Sequence, residues 1–437
     1  MLHLIRVIKI FVLFNFCIAQ GPLNSFGIGK HQKWFSPSQS GAGSIGLIPT
    51  FKDGVSLSNP GTWSNLKFTH LSVSYNGFES IIINRNSNNS FSNLQSAQLI
   101  IPIKNKHSFG IALHPYSYQR TSLVDTLYSD IYVFEDTVSI KKKYEQAGGV
   151  MALDMSFSSS LFSGNNIGVT FQLLFGSSRQ NNSFIVDNIP LLKSSRLNYS
   201  GVNSSFYLVQ KLSLFNLYLK SSISLNPLEA IYTELYPFDD TNINGYHDFT
   251  YDYDNPGYDF PHPNDVPEPN KSRITNIYDK STLGIGISTS LNKRLNLSFE
   301  LENDIDKSPY NYRLPNSFNF RIKRNDNYSL GVVWFPDDLS FRYIDNFTLR
   351  SGIVYNKYDF DEFDSKTNIR IDNKNSITQV GYSIGFGYKF KAVGNQIDFS
   401  YYTGSLDYPH SYDSEQIKEF QIGISIADIW FIKRRQR

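Results

Sequence analysis

Residues 380–390 alternate strictly between two kinds of side chain. Val380, Tyr382, Ile384, Phe386, Tyr388 and Phe390 share one face, and Gly381, Ser383, Gly385, Gly387 and Lys389 share the other. A period of two marks a β-strand whose faces meet different surroundings. The same alternation recurs at Ile167–Val169–Phe171–Leu173–Phe175, Phe215–Leu217–Leu219, Leu295–Leu297–Phe299–Leu301 and Phe420–Ile422–Ile424–Ile426. A soluble sandwich would alternate too, so the connections must separate the cases. Short links fall near 104–106, 162–165, 212–214, 292–294, 336–340 and 391–394. Long ones span 77–93, 119–143, 178–195, 226–280, 303–324, 359–374 and 405–416. Short turns on one side and long loops on the other are the rhythm of a transmembrane barrel. About fourteen strands are expected, an even number that leaves both ends of the chain in the periplasm. The expected fold is therefore all-β, a transmembrane antiparallel β-barrel of about 14 strands with an N-terminal hatch, or plug, in its lumen.

Composition agrees. Aromatic residues make up 15% of the chain, with 34 Phe and 28 Tyr, a mix that favours strands over long helices. No stretch of 18 apolar residues follows the amino-terminal leader, which excludes spanning helices. Tyr75, Tyr328, Trp334, Tyr355, Tyr388, Tyr401 and Trp430 fall near stripe ends, as interfacial girdles require. Residues 1–19 read as a signal peptide: Arg6 and Lys9 precede an apolar run, and Cys17 and Ala19 are the small residues before cleavage. The only cysteine, Cys17, thus leaves with the leader. So do two of the 41 basic residues, which leaves 39 against 39 acidic ones. A balance of zero gives no footing for nucleic-acid binding. The expected domains are the leader (1–19), the hatch (20–66) and the barrel (67–437), with a long extracellular loop at 226–280.

Sequence motifs for chemistry dissolve on inspection. Gly41-Ala-Gly43-Ser-Ile-Gly46 matches a dinucleotide fingerprint, but no strand leads in and no helix pattern follows. Gly381-Tyr-Ser383-Ile-Gly385 matches a hydrolase elbow, yet it lies inside the cleanest alternating run, where Ser383 faces the lumen. The seven mature histidines show no ligand spacing, and the loop at 252–257 lacks the glutamate of a calcium loop. No catalytic residue, metal or cofactor is expected. Four inward positions are apolar against the pattern: Val150, Leu174, Val333 and Phe335. Either they line a common pocket for a hydrophobic ligand or they pack against the plug. Pro115, after His114 at the end of a strand expected at 107–113, marks either that strand's end or a kink that opens the wall.

Residues 41–63 carry a family resemblance. Gly41-Ala42-Gly43-Ser44, then Asp53, then Asn59-Pro60 followed by Gly61, resemble the hatch of the outer-membrane long-chain fatty acid transporters, the FadL-like barrels. Gly61 stands where that family usually has alanine. The resemblance implies a fourteen-stranded barrel with a lumenal hatch, gated around Gly41, Gly43, Asp53, Asn59, Pro60 and Gly61. It also implies passive passage of small hydrophobic, fatty-acid-like molecules through a gap in the wall. A related branch, the PorV-type barrels of type IX secretion, implies instead a scaffold or shuttle that engages exported proteins. The expected partners are membrane lipid, a small hydrophobic ligand and the outer-membrane assembly machinery, with secretion-system proteins under the second reading. The carboxy-terminal Ile429-Trp430-Phe431 is followed by six further residues where a terminal aromatic is usual.

Overall fold

A computed structural model of the chain describes residues 22–428 apart from 83–86, 104–105, 125–128, 134–135, 163, 187–188, 242–244, 248–258, 316–318, 336–345, 365, 391–394 and 409–413. The leader, the centre of the long loop at 252–257, the link at 336–340 and the terminus 429–437 therefore lie outside the described residues.

Fourteen antiparallel strands form one closed sheet. They are β1 (Thr69–Ile82), β2 (Ser87–Ile103), β3 (His107–Tyr118), β4 (Asp136–Phe162), β5 (Asn165–Val186), β6 (Ile189–Lys211) and β7 (Asn216–Glu234). The ring continues through β8 (Lys280–Ser290), β9 (Leu295–Asp306), β10 (Phe320–Trp334), β11 (Phe347–Phe363), β12 (Arg370–Lys389), β13 (Gln396–Asp407) and β14 (Ser414–Asp428). Each strand pairs with the next, and β14 pairs back onto β1 from Asp428↔Thr69 to Glu415↔Ile82. The pieces Thr121–Val124 and Ser129–Val133 carry the edge of β3 onward along β4, and Asn270–Tyr278 carries β8 onward along β7. Thr69 and Asp428 define one end of the barrel, called proximal below; Ile82 and Glu415 lie at the distal end.

The outward face is the lipid face. Phe171, Phe206, Phe299, Ile353, Tyr382, Ile384, Phe420 and many like them stand exposed around the ring. So continuous an apolar belt is untenable in water but matches hydrocarbon, where closed hydrogen bonding of the backbone is obligatory. The inward face carries the small and polar members of each strand, such as Ser298, Glu300 and Glu302 on β9.

Strand lengths differ from the sequence expectation. β4, β5 and β6 run for 27, 22 and 23 residues, against the roughly 9–11 that cross a membrane. The expected long links at 77–93 and 178–195 are mostly strand, since β1 reaches Ile82 and β5 reaches Val186 before β6 begins at Ile189. The expected loop 226–280 likewise shrinks, because β7 continues to Glu234 and strand resumes at Asn270. The cause is physical. Above the lipid belt both faces are polar, as in Arg179-Gln180-Asn181-Asn182, so no apolar stripe marks the strand, while the backbone ladder persists.

Residues 22–66 lie inside the ring. Leu23 and Phe26 pack against Phe360, Leu406 and Ile417 near the distal end. The two-residue strand Lys30–His31 adds to β3, a short helix Pro37–Gly41 crosses beside β11 to β14, and a 3₁₀ turn Pro60–Asn65 sits against β3 to β6. From there the chain enters β1 at the proximal end. The segment thus threads the lumen from one end to the other.

Candidate functional site in the barrel lumen

The residues of the N-terminal segment singled out in the sequence occupy distinct places along this path. Gly41 meets Gly385 of β12, where a Cβ on Gly41 would come within 2.7 Å of the opposing Cα. Gly43 has φ +88°, a left-handed conformation that glycine adopts at no steric cost. Its N–H donates to Ser383 Oγ at 2.9 Å. That contact gives the inward serine of the apparent hydrolase motif a structural partner. Asn59 caps the 3₁₀ turn by accepting from Gly61 N–H (3.0 Å) and donates to Leu47 O (2.7 Å). Pro60 stands at the first turn position and fits against Gly168 of β5. Gly61 lies so close to Val209 of β6 that a Cβ would approach its Cγ2 to 2.9 Å. Asp53 is apart from these, exposed at the proximal end with a carboxylate oxygen 3.8 Å from His70 Nε2.

Anchors on the wall hold the segment by its backbone. Glu300 of β9 accepts from both Gly46 N–H (3.1 Å) and Leu47 N–H (2.8 Å). Arg350 of β11, fully buried, pairs with Asp398 of β13 at 2.6 Å and donates to Thr50 O at 3.3 Å. Lys33 of the segment lies 3.4 Å from Glu302 and 3.6 Å from Asp304, which also meet Lys220 (3.0 Å) and Lys280 (3.9 Å). Buried charges persist only when paired in this way. Sequence reasoning passed over these groups, although a signal existed. Glu300, Glu302, Asp304 and Asp306 are four acids at period two on one inward face.

The four apolar inward residues do not share a pocket. Val150 and Leu174 belong to a cluster with Ile28, Tyr116, Tyr199 and Leu228; Val333 and Phe335 belong to another with Ala42, Ile45, Ile48 and Tyr218. The register separates them, and both pairs pack against the N-terminal segment. Polar cavities lie beside the segment, and a small apolar one lies among Phe26, Ile28, Ile277 and Ile322. Three adjoining cavities of about 90, 70 and 50 Å³ all touch Gln32, and their linings include Lys30, Lys33, Asn325, Gln379, Glu302 and Glu419.

Pro115 lies within β3, which runs on to Tyr118, rather than after its end. Pairing of β2 with β3 runs from Ile103↔His107 to Ala97↔Leu113 and goes no further among the described residues. Beyond it β3 pairs on that side with the lumenal strand instead, through Lys30↔Tyr118 and His31↔Ser117. On its other side the register against β4 slips between Pro115 and Ser117, a bulge at a residue that has no N–H to give. The bulge turns Tyr116 inward, where it is 2% exposed. The wall is thus parted between the distal halves of β2 and β3, and there Phe91 and Tyr118 set their rings 5.8 Å apart.

Fold and lumen together define an outer-membrane β-barrel of the FadL type, threaded by its own amino-terminal segment. The solved structures it resembles agree on the fold. A FadL homologue from Pseudomonas aeruginosa aligns at TM-score 0.56 and 14% identity over 90% of this chain and 98% of the other. The CymD monoaromatic hydrocarbon channel gives 0.53 and 14% over 90% and 97%. The toluene transporter TodX from Pseudomonas putida gives 0.50 and 11% over 92% and 99%. No curated relative matches. The sequence profile of the BamG family covers residues 1–436, and the chain belongs to that family. Its location is the outer membrane.

Proposed function

We propose that this barrel serves as a partner of the outer-membrane assembly machinery and not as an open conduit. One observation carries the reading: the lumen is threaded from end to end, and the cavities beside the segment are small and mostly polar among the described residues. A molecule moving through would have to displace the Glu300 and Arg350 anchors and several buried ion pairs. The family's name points the same way. The extensions of β4 to β6 offer surface for partners outside the lipid belt. The test is purification of the tagged native chain from membranes in mild detergent. Co-purification of the central assembly barrel, with loss of outer-membrane proteins on depletion, is the expected result. A chain that purifies alone, with unchanged outer-membrane protein levels on depletion, ends the proposal.

A second reading rests on the parted wall at Pro115. In it a small hydrophobic, fatty-acid-like molecule passes sideways between β2 and β3 by passive diffusion. Residues 41–61 form the hatch that must shift, and Val150 and Leu174 would be among its contacts. Uptake of a labelled fatty acid that is unaffected by deleting the gene removes this reading. A type IX scaffold role gains no support from the comparisons.

A further inference from the structure

Around the distal rim of the apolar belt, four outward-facing cations each have an acid beside them. Lys143 lies 2.8 Å from Glu145, Arg324 3.0 Å from Asp326, Lys357 3.2 Å from Asp359 and Lys418 3.4 Å from Glu79. One arc departs from this rule. On the outer face of β5 and β6, Arg179 stands directly opposite Arg196. Thr233 of β7 pairs with Arg196 on one side and with Lys271 of the segment Asn270–Tyr278 on the other. Period two sets their direction: Arg179 shares its face with Phe171 and Phe175, and Arg196 shares its face with Phe206, all three rings exposed. Lys271 shares its face with Arg273, whose side chain is 66% exposed. Like charges directly opposite in a sheet repel, yet none of the three has an ion-pair partner among the described residues. Glu229 is taken by Arg273 (2.7 Å) and Glu234 by Lys193 (2.6 Å), while Asp240 accepts from Gly245 N–H (2.8 Å). Arg196 donates to Ser177 Oγ (3.2 Å), and Arg179 donates to Gly245 O (3.5 Å) beneath the Tyr246 ring, 4.2 Å from its centroid. These neutral contacts orient the guanidinium groups and leave their charge uncompensated.

Height above the belt selects the counter-charge. Phe175, 45% exposed, closes the β5 stripe that begins at Ile167, and Arg179 follows it by four residues. At about 3.3 Å per residue and a strand tilt of about 40°, the row stands about 10 Å beyond the hydrocarbon. A phospholipid headgroup layer reaches only about 5–8 Å. Neighbouring strands lie about 4.8 Å apart, so Lys271 is about 10 Å across the sheet from Arg196. One phosphate is too small to meet all three cations; a sugar head with two acidic groups spans them, and guanidinium groups suit phosphate oxygens. We propose that this arc holds an anionic glycolipid of the outer leaflet. Its acidic saccharide head bridges Arg179 and Arg196 to Lys271, and its acyl chains lie along Phe171, Phe175 and Phe206. The charged row continues directly from the apolar belt, so a single lipid satisfies both. The site is separate from the assembly role, because it concerns lipid and the isolated barrel.

The test is native mass spectrometry of the full-length barrel in detergent. The probes are a phosphorylated lipid A carrying two acidic sugars, phosphatidylglycerol and inorganic phosphate. The glycolipid should bind as one copy at concentrations where phosphatidylglycerol does not, and phosphate should not displace it. Arg196→Gln combined with Lys271→Gln should weaken glycolipid binding about thirtyfold, at about 1 kcal/mol per basic residue near a lipid surface. Lys357→Gln, at a paired cation of the same rim, should leave it unchanged. Heat-modifiable migration reports whether each variant still closes its barrel. Should the double variant misfold, each single variant is read alone, with an expected loss of about fivefold. Equal binding of phosphatidylglycerol, displacement by phosphate, or unchanged affinity in the variants overturns the proposal. All three outcomes are read on the isolated barrel and leave the co-purification result untouched.

Discussion

Glu300 is the most informative residue to change, because its side chain holds the threaded segment while its main chain alone serves the barrel's backbone ladder. Its carboxylate accepts two backbone N–H groups, from Gly46 and Leu47. Hydrogen bonds to a charged acceptor contribute about 1.5–3 kcal/mol each. Glu300→Leu therefore costs the docked state about 3–6 kcal/mol and strands two buried donors. Pairing of β9 with β8 and β10 through this position is by main chain and survives. The readout is local opening. Ile48, 1% exposed, follows directly on the anchored pair, and Cys17 is the only cysteine, so Ile48→Cys combined with Cys17→Ser gives a unique thiol. At about 1.4 kcal/mol per decade, maleimide labelling of that thiol should accelerate by about two to four decades in the Glu300→Leu background. Glu300→Gln, which keeps one acceptor oxygen, should fall between. Equal labelling rates in all three proteins, with barrels intact, would refute the claim that Glu300 holds the segment in place.

Three further outcomes follow from the same geometry. Gly352→Ala places a Cβ against the backbone of Gly43; this overpacking should cost about 1–3 kcal/mol, read as faster hydrogen exchange in residues 41–48 and unchanged exchange in β11. Trp63, 2% exposed and bonded through Nε1 to Ser56 O at 2.7 Å, fits over Gly110; Trp63→Ala should destabilise the proximal end of the segment by about 3–5 kcal/mol, seen as proteolysis near residue 60. Burial, aided by nearby Lys280, lowers the His31 pKa from 6.5 to about 3. Between those values the undocked segment binds a proton that the docked one refuses, so docking should weaken by about 1.4 kcal/mol per pH unit below 6.5. His31→Asn should flatten that slope in labelling rates measured from pH 7 to 5, and an unchanged slope would clear His31 of the effect.

Lipid-facing stripes were legible because hydrocarbon demands apolar side chains on every second residue, and that demand sets the strand count. Nothing equivalent marks the polar stretches of β4 to β6, where pairing is a matter of main chain alone. The lumen was harder still. Val150 and Val333 look alike in sequence, yet registers set by separate hairpins place them in different clusters. Asn325, Asn356, Gln379 and Gln421 come from four strands. Each passes as an ordinary inward polar residue until the ring closes and sets them around one space. The acids of β9 could have been flagged from their period, but their lysine partners sit on β7, on β8 and in the segment, a juxtaposition no local pattern encodes.

The threaded segment also sets how closely the ring can pack. It starts among distal strand ends, runs the length of the interior and continues directly into β1, the strand that must find β14. Among the described residues the cavities beside it, of about 50 to 90 Å³, are far too small to pass a polypeptide. Segment and wall therefore form one packed unit, in which the segment fills the space that the ring encloses. Its glycine contacts with β5, β10, β11 and β12 fix how close each strand comes to the axis. A defect in the segment is then expected to loosen the wall strands that pack directly on it.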